Sequence, residues 1–453
     1  MLTQKKLESY FDRLFPLNRS ITGKDYRKSL KILSEIIPFK FHDFKSGKKC
    51  FDWVIPNEWN VNNAYILTPN GEKIANFQDS NLHLMGYSVP VRKKISYKEL
   101  KKRIYTIKNM PNAIPYVTSY YKKNWGFCLQ YNIFKKLQKK GNYNVVIDSS
   151  LKKGYLRVGM CVIPGISKKE ILISTYLCHP SMAVNELSGP LTALSLYKQL
   201  IKEKKFFYTI RFIICPETIG SIAILSKFCD YLKKNVIAGY VLTCIGVGNG
   251  YVYKKTRMGN SIVDKTMIQI LKKQKKPFKI INFFPGGSDE KQYSSPGFNL
   301  PIGLLMGKIY GGYKEYHTSL DNKKLINFKE INQTASLYLK AMKIIDKFKN
   351  KQINKTPKFF VKKKGHEYYF SKVQKGMPFF SKKNNKLYPY IMEHKKISLS
   401  LYVSTIMEIL NYSDGTNSLL DIAKKVKKKI SYVTKIKNDL VRYNYLIPIH
   451  NKK

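Results

Sequence analysis

Histidine and glutamate side chains stand directly after apolar runs that have the texture of buried strands. His179 follows the run 171–177, and Glu186 stands seven residues further on, before the pair Ser188-Gly189. In an open α/β sheet, sites gather at the carboxyl ends of strands, and an imidazole with a nearby carboxylate is a candidate metal position. A lone histidine is more often a hydrogen-bonded structural residue, so the ligand interpretation depends on the other motifs.

A second carboxylate, Glu217, stands at the start of the turn after the strand-like run 211–215, just before Gly220-Ser221 opens a predicted helix. A partly desolvated carboxylate beside an activated water can act as a general base. The competing interpretation is that Glu217 only occupies a first helical turn, where the helix dipole favours an acid. The sequence leaves both interpretations open.

Two glycine-containing loops complete the set of candidates. One, PGGSDEKQYSS at 285–295, carries Asp289, and the other, YGGYKEYHTSLDN at 310–322, carries His317 with Asp321 four residues on. The chain has seven histidines in all, and two of them lie in polar loops that follow predicted strands. These loops would converge on one edge of a sheet.

The elements that must position these residues alternate between strand and helix from residue 155 to 345. That alternation predicts an α/β fold with a mixed or parallel sheet and helices on both faces. The predicted strands are 158–164, 171–177, 208–215, 236–244 and 301–306, and the predicted helices are 190–203, 219–234, 261–274 and 328–347.

The segments on either side of this region differ from it in composition and in predicted secondary structure. Residues 3–15 and 24–37 read as helices, and an aromatic-, Pro- and Gly-rich block at 50–150 predicts a small β-rich domain inserted before the main sheet. The block 385–453 has three short predicted helices (398–411, 419–429 and 432–443) and a terminal strand, the pattern of a winged helix-turn-helix. Its third helix carries Lys435, Lys437 and Arg442. DNA binding and a protein-interaction or dimerisation role both stay open.

The formal net charge of +53 over 453 residues is extreme. It would attract nucleic acid or an anionic membrane. A compositional explanation is favoured, because lysine far outnumbers arginine, is spread through the chain and accompanies abundant Asn, Ile, Tyr and Phe, as in AT-rich coding sequence. Nucleic acid is therefore a partner that the sequence allows but does not favour.

Seven cysteines form no CxxC pair and lie mostly in apolar runs, as buried free thiols do. The first twenty residues have no apolar core of a signal peptide, and no run of eighteen apolar residues occurs. We expect a cytoplasmic protein with no segment inserted in a membrane.

The order CHP…NELSG…PET…GGSDE…YHTSLDN resembles the zinc aminopeptidase and glutaminyl cyclase superfamily. With RSITG, FDWVIPNEW, HLMGYSVP and PYVTSYY, nearly the whole chain resembles a bacterial aminopeptidase-like family. Its members carry an inserted β domain and a carboxyl-terminal winged helix, and their genes often lie among those for surface polysaccharide synthesis. The resemblance implies a zinc hydrolase domain at 1–49 and 151–350, the insert at 50–150, a linker at 351–384 and the winged helix at 385–453.

Carried over by position, the resemblance makes His179 and His317 metal ligands and Glu217 the general base. The bridging aspartate of the superfamily falls on Asn185, beside Glu186, and the ligand after the base falls on Thr218. No Asp or Glu occurs between 230 and 264, where a further ligand is expected. The resemblance therefore favours one zinc over two, held by His179, His317 and a carboxylate, preferably Glu186.

Two functional hypotheses follow. The first is a zinc-dependent hydrolase that cleaves an aminoacyl or acylamino bond of a peptide-like or small-molecule substrate, in a surface-polysaccharide pathway. Asp289 would orient His317, act as a metal ligand or bind a substrate ammonium group. Arg257 and Tyr316 would line the substrate site. The alternative is a non-catalytic ligand-binding or regulatory protein, whose winged helix contacts DNA or protein. A homo-oligomer is compatible with both.

Overall fold

The computed structural model describes residues 1–348, 363, 365–371, 375–376 and 397–449. Apart from a short 3₁₀ turn at Asn81–His83 and a π turn at Ala183–Leu187, the helices are α1 Gln4–Leu14, α2 Lys24–Leu33, α3 Tyr97–Lys101, α4 Tyr131–Phe134, α5 Ser188–Leu200, α6 Ile219–Asn235, α7 Ile262–Lys272, α8 Glu290–Tyr293, α9 Phe328–Asp346, α10 Ile397–Tyr412, α11 Leu419–Val426 and α12 Ile430–Arg442.

The strands belong to one large sheet and several small ones. They are β1 Lys40–Lys45, β2 Lys49–Cys50, β3 Trp53–Val54, β4 Glu58–Leu67, β5 Lys73–Ile74, β6 Val91–Ser96, β7 Ile104–Tyr105, β8 Phe127–Cys128, β9 Asn142–Lys152, β10 Tyr155–Ile163, β11 Ser167–Tyr176, β12 Tyr208–Cys215, β13 Val236–Val241, β14 Tyr251–Lys254, β15 Phe278–Ile281, β16 Ile302–Met306, β17 Tyr368–Ser371, β18 Asp414–Ser418 and β19 Leu446–Pro448.

The large sheet has eight strands in the order β1-β10-β12-β11-β13-β16-β14-β15. Its centre, β12-β11-β13-β16, is parallel, whereas β1 and β10 join one side antiparallel. Every residue of β12 is buried, because helices cover both faces of the sheet. The predicted mixed α/β fold is confirmed. The strands β1, β14 and β15 of this sheet were not predicted.

The four central strands run in the same direction, so their carboxyl ends meet at one edge. The residues after β11 include His179, those after β12 include Glu217, and those after β16 lead to His317. This edge is where an open α/β sheet places its ligands. The strand order therefore brings the candidate side chains together from positions that are far apart in sequence.

A separate four-stranded sheet, β5-β4-β9-β6, lies within the aromatic-rich block. Buried and less buried residues alternate along β4, as in a sheet with one face on a core. The turn at Asn70-Gly71 joins β4 to β5, as the hairpin signal predicted. Its strand β9 ends at Lys152, and β10 of the main sheet begins at Tyr155, so the chain passes directly from one sheet to the other.

The carboxyl-terminal block has helices α10–α12 and a sheet in the order β18-β17-β19. Strand β17 falls inside the segment 351–384 that the sequence suggested as a linker; most of the remainder of that segment lies outside the described residues. β17 pairs with both β18 and β19, so it is an integral strand of the winged-helix sheet.

No helix among the described residues is long and apolar enough to cross a membrane.

Gly189 is the position where α5 starts against the ends of β11 and β13. A Cβ atom there would overlap Thr175 Oγ1 and the carbonyl oxygen of Leu242, which is backbone. Thr175 Oγ1 already donates to that carbonyl at 2.8 Å, so neither atom has room to move. The Ser-Gly pair thus sets how closely the helix approaches the sheet.

We predict that Gly189→Ala lowers the free energy of unfolding by about 3 kcal/mol through this overlap. Gly259→Ala is the matched control: its Cβ meets nothing within 4 Å, and only its φ of +74° opposes the change. The control should cost about 1 kcal/mol. Chemical denaturation of both variants measures the difference, and equal costs would contradict the close approach.

Candidate metal and active site

Glu186 holds both the ring and the backbone of His179. Its Nδ1 lies 2.7 Å from Glu186 Oε2, and its backbone N–H donates to Glu186 Oε1 at 3.0 Å. Both side chains are buried. The Glu186 carboxylate therefore fixes the tautomer and the ring orientation, with the proton on Nδ1 and Nε2 directed elsewhere. Both oxygens of Glu186, which the sequence analysis favoured as a metal ligand, contact His179 in this structure.

Arg19, from the turn between α1 and α2, supports His179 from behind. Its Nη2 donates to the carbonyl oxygen of His179 at 2.8 Å, and its Nη1 donates to the carbonyl of Leu14. The side chain is fully buried, and burial lowers the pKa of Arg19 to about 10, against the opposing field of Glu186. The motif RSITG thus contributes a cation beneath the site, which the sequence did not reveal.

Glu217 faces the other nitrogen of His179. Its Oε2 lies 3.7 Å from His179 Nε2, beyond hydrogen-bond distance, and its side chain is 20% exposed. Burial raises the pKa of Glu217, while the charges of His179 and Lys291 oppose the shift. A carboxylate with a raised pKa that stays accessible is suited to accept a proton. Glu217 precedes α6, which begins at Ile219, so it does not lie in the first helical turn.

The turn that carries Glu217 is held by Asp289. Thr218 has a left-handed φ of 65°, and its N–H donates to Asp289 Oδ1 at 2.7 Å. Ser221 Oγ donates to the same oxygen at 2.8 Å. Burial and the nearby Glu217 raise the pKa of Asp289 to about 7. The loop GGSDE therefore positions the turn of Glu217 through the contacts of Asp289 with Thr218 and Ser221.

His317 completes the cluster from the loop after β16. Its ring centroid lies 5.4 Å from that of His179, and its backbone has a left-handed φ of 57°. The ring of Tyr316 stacks on it at 4.0 Å with an interplanar angle of 11°. Tyr316, which the sequence analysis assigned to the substrate site, therefore lies beside His317.

Tyr116, from the aromatic-rich block 50–150, also lies at the site. Its ring lies 5.1 Å from His179 and 5.3 Å from His317, and its N–H donates to the His317 carbonyl at 2.9 Å. An isolated bridge between Pro115 and Thr318 continues this pairing. The sequence analysis did not assign Tyr116 to the site, although the aromatic motif PYVTSYY that contains it was noted.

Asn185 is the position to which the resemblance carries the superfamily's bridging aspartate. Its backbone N–H donates to Asp321 Oδ2 at 2.9 Å, and Asp321 Oδ1 accepts from Val184 at 2.7 Å. Among the described residues, the buried Nδ2 of Asn185 has no hydrogen-bond partner. Because amide oxygen and nitrogen are interchangeable by a flip, this orphaned position can equally hold the oxygen.

Arg257 is engaged away from the cluster, which corrects its assignment to the substrate. Its guanidinium donates to Asn299 Oδ1 at 3.1 Å, to the Asn411 side chain at 3.0 Å and to the Asn411 carbonyl at 2.9 Å, and it pairs with Asp414. Asn411 and Asp414 belong to the winged-helix block. Arg257 therefore docks that block on the main domain, and these contacts occupy all three nitrogens of its fork.

Among the described residues, one set of three metal-competent side chains has its ligand atoms mutually within 4.8 Å: Cys178, His179 and Glu186. The Cys178 thiol and Glu186 both lie on the Nδ1 side of His179, at 3.7 and 2.7 Å. Burial raises the pKa of the Cys178 thiol well above its ordinary value, whereas metals bind the thiolate. This set is therefore a hydrogen-bonded cluster, and His179 Nε2 is the nitrogen that faces the other candidates.

Comparison with known proteins agrees with this architecture. Residues 9–348 match the family model described as Domain of unknown function (DUF4910), and residues 373–447 match a winged helix-turn-helix model. A Clostridium acetobutylicum protein is 40% identical over 423 residues, which cover 93% of this chain and 92% of that protein. It carries a provisional name as a polysaccharide biosynthesis protein with an aminopeptidase-like domain.

Solved structures show the same relationship. A crystal structure from Clostridium acetobutylicum, provisionally named a peptidase, is 38% identical, with a TM-score of 0.73 and coverage of 98% of this chain and 96% of that one. BSAP, a zinc aminopeptidase from Bacillus subtilis, has a TM-score of 0.56 at 12% identity, covering 79% of this chain and 98% of that one, which shows a shared fold. The expected aminopeptidase-like family is confirmed: the chain belongs to the DUF4910 family and ends in a winged helix-turn-helix domain.

Proposed function

We propose that the chain is a metal-dependent hydrolase that cleaves an aminoacyl or acylamino amide bond. The observation that carries the proposal is the meeting of two imidazoles with one accessible carboxylate, His179, His317 and Glu217, at the carboxyl edge of the sheet. The aminopeptidase-like fold supports the reaction class. Fold alone does not establish an activity, so the proposal depends on these side chains.

The residues fit a zinc ion on the Nε2 side of His179. A carboxylate that holds Nδ1, as Glu186 does, is the usual outer partner of a metal-bound histidine. His317 is the second candidate ligand, and the orphaned amide of Asn185 can present its oxygen as a third. Glu186 thus moves from ligand to orienting group in this proposal, and Glu217 stays available as a base.

One zinc fits better than two. The superfamily's second-metal position after the base is Thr218, whose N–H is already committed to Asp289. The segment after β13 offers Thr243 and Cys244; the Thr243 hydroxyl lies 2.6 Å from Tyr176 OH, and burial raises the pKa of Cys244 to about 12. Neither residue supplies an anionic ligand at neutral pH.

Zinc, when bound, would polarise the scissile carbonyl and make a water molecule more acidic. The protein's own part is to accept and move the proton. Glu217 Oε2 takes a proton from the attacking water and delivers it to the leaving amine, which its raised pKa favours. Tyr116 and Tyr316 flank the histidines and exclude water from one side of the site.

The substrate class is an amide of modest size, peptide-like or acylamino. The name of the Clostridium acetobutylicum relative supports a place in surface-polysaccharide synthesis, where acylamino sugars offer such a bond. The competing hypothesis keeps the scaffold without catalysis and would explain the missing second-metal ligands. Metal content and turnover separate the two.

We predict that Glu217→Gln reduces kcat by at least about 100-fold, because the base is lost, while bound zinc stays near one ion per chain. Glu315→Gln, two residues before His317, is the control and should keep wild-type turnover. Turnover on a panel of aminoacyl and acylamino substrates and elemental analysis measure both effects. Retained turnover in Glu217→Gln would refute the mechanism, whereas lost zinc would make Glu217 a ligand.

We predict that His179→Ala removes zinc and that His317→Ala weakens its binding by at least about ten-fold. Glu186→Gln should keep the metal but bind it about ten-fold more weakly, since the amide orients His179 less firmly. Competition with a chelator during elemental analysis gives the affinities. A wild-type protein that takes up no zinc after loading would favour the non-catalytic scaffold.

We predict that Asp289 makes the free energy of unfolding depend on pH. Its folded pKa of about 7 lies above the ordinary 3.8, so the folded state holds this proton more tightly than the unfolded state does. Asp289 therefore stabilises the folded state most below pH 4, and this stabilisation declines as the pH rises through 7. The stability difference between wild type and Asp289→Asn should fall across that window in denaturation curves. A difference independent of pH would contradict this position for the carboxyl group.

A further inference from the structure

One face of the inserted domain gathers basic side chains from two separate segments. Strand β6 forms the edge of the small sheet and leads through α3 to residue 108, while residues 131–140 lead into β9, its neighbour. The segments adjoin: Lys108 Nζ lies 6.0 Å from the Tyr131 ring, and Ser96 pairs with Asn142. Residues 92–108 and 131–140 are called the basic face below.

The charge of the basic face exceeds what the composition of the chain explains. Its 27 residues include twelve Lys or Arg and one glutamate, a net charge of +11. An even spread of +53 over 453 residues would place about +3 there. Eleven of the cations are exposed, and none of them has an ion-pair partner within the described part of the chain; they are Arg92, Lys93, Lys94, Lys98, Lys101, Lys102, Lys108, Lys135, Lys136, Lys139 and Lys140.

Apolar side chains stand among these lysines. Ile133 in the short helix α4 is 37% exposed, and Phe134 and Leu137 are half-buried next to Lys135 and Lys136. Surfaces that bind lipid headgroups combine cations with apolar side chains that reach the acyl boundary. Ile133 precedes the pair Lys135-Lys136, and Leu137 lies between that pair and Lys139-Lys140, so apolar and basic side chains share this segment.

We propose that the basic face binds the protein peripherally to an anionic lipid bilayer. Ten of the eleven exposed cations are lysines, point charges suited to the diffuse negative potential of a membrane surface. Base-edge recognition of nucleic acid instead favours the bidentate fork of arginine, and Arg92 is the one arginine among these eleven exposed cations, since Arg103 is half-buried and donates to Asn124. The contact is superficial and requires no segment to cross the membrane.

Edge protection explains only part of this face. Lysines on an edge strand prevent other chains from pairing with it, which would account for Lys93 and Lys94 on β6. It does not account for the four lysines at 135–140, which lie outside any strand, or for Ile133. A shared role for both segments explains them together.

The test is sedimentation of the full-length protein with vesicles of phosphatidylcholine, alone or mixed with phosphatidylglycerol. We expect binding to the mixed vesicles only, weakening steeply with added salt. The variant Lys135→Gln/Lys136→Gln/Lys139→Gln/Lys140→Gln should bind at least about ten-fold more weakly. Ile133→Ser should weaken binding while leaving its salt dependence unchanged.

The matched control removes four exposed lysines from α7 and the turn after it: Lys265→Gln/Lys272→Gln/Lys273→Gln/Lys275→Gln. It changes the net charge by the same amount and should bind as the wild type does. Equal losses in both quadruple variants would overturn the proposal in favour of net charge alone. Wild-type binding in the basic-face variant, or tighter binding of this face to duplex DNA than to anionic vesicles, would also overturn it.

Discussion

The site depends on the interaction between Glu186 and His179. A buried carboxylate is costly unless donors surround it, and Glu186 receives both the imidazole N–H and the backbone N–H of the same residue. That double contact fixes the ring and leaves Nε2 toward Glu217. Arg19 adds a buried positive charge on the carbonyl side of His179, which helps to balance the carboxylate. Loss of any one of these groups would leave another buried without compensation.

The other residues that surround the site come from different parts of the chain. The amino-terminal turn gives Arg19, the insert gives Tyr116, and the loop GGSDE gives Asp289, which shapes the turn of Glu217. Asp321 ties the His317 loop to the turn that carries Asn185. The parallel strands set the distances between these parts, because their ends all meet at one edge.

The sequence predicted the features that depend on hydrophobic pattern and on strand direction, namely the α/β fold and the sheet edge that carries the candidate residues. His179, Glu217 and His317 could be placed at one edge because each follows an apolar strand. The role of Glu186 could not be read from its spacing, since the intervening π turn folds it back on His179. Arg257 was misassigned because its partners Asn411 and Asp414 are more than 150 residues away in sequence. Tyr116 was missed for the same reason: its contact with His317 joins two loops, and no periodicity encodes it.

The pairing of residues 115–116 with 317–318 has a consequence for how the protein matures. Tyr116 is synthesised about two hundred residues before its partner loop, so its place beside His179 is completed only after the last sheet strand has left the ribosome. Until then, the two histidines cannot stand together. A partly synthesised chain therefore has no assembled site until the loop that carries His317 has been made.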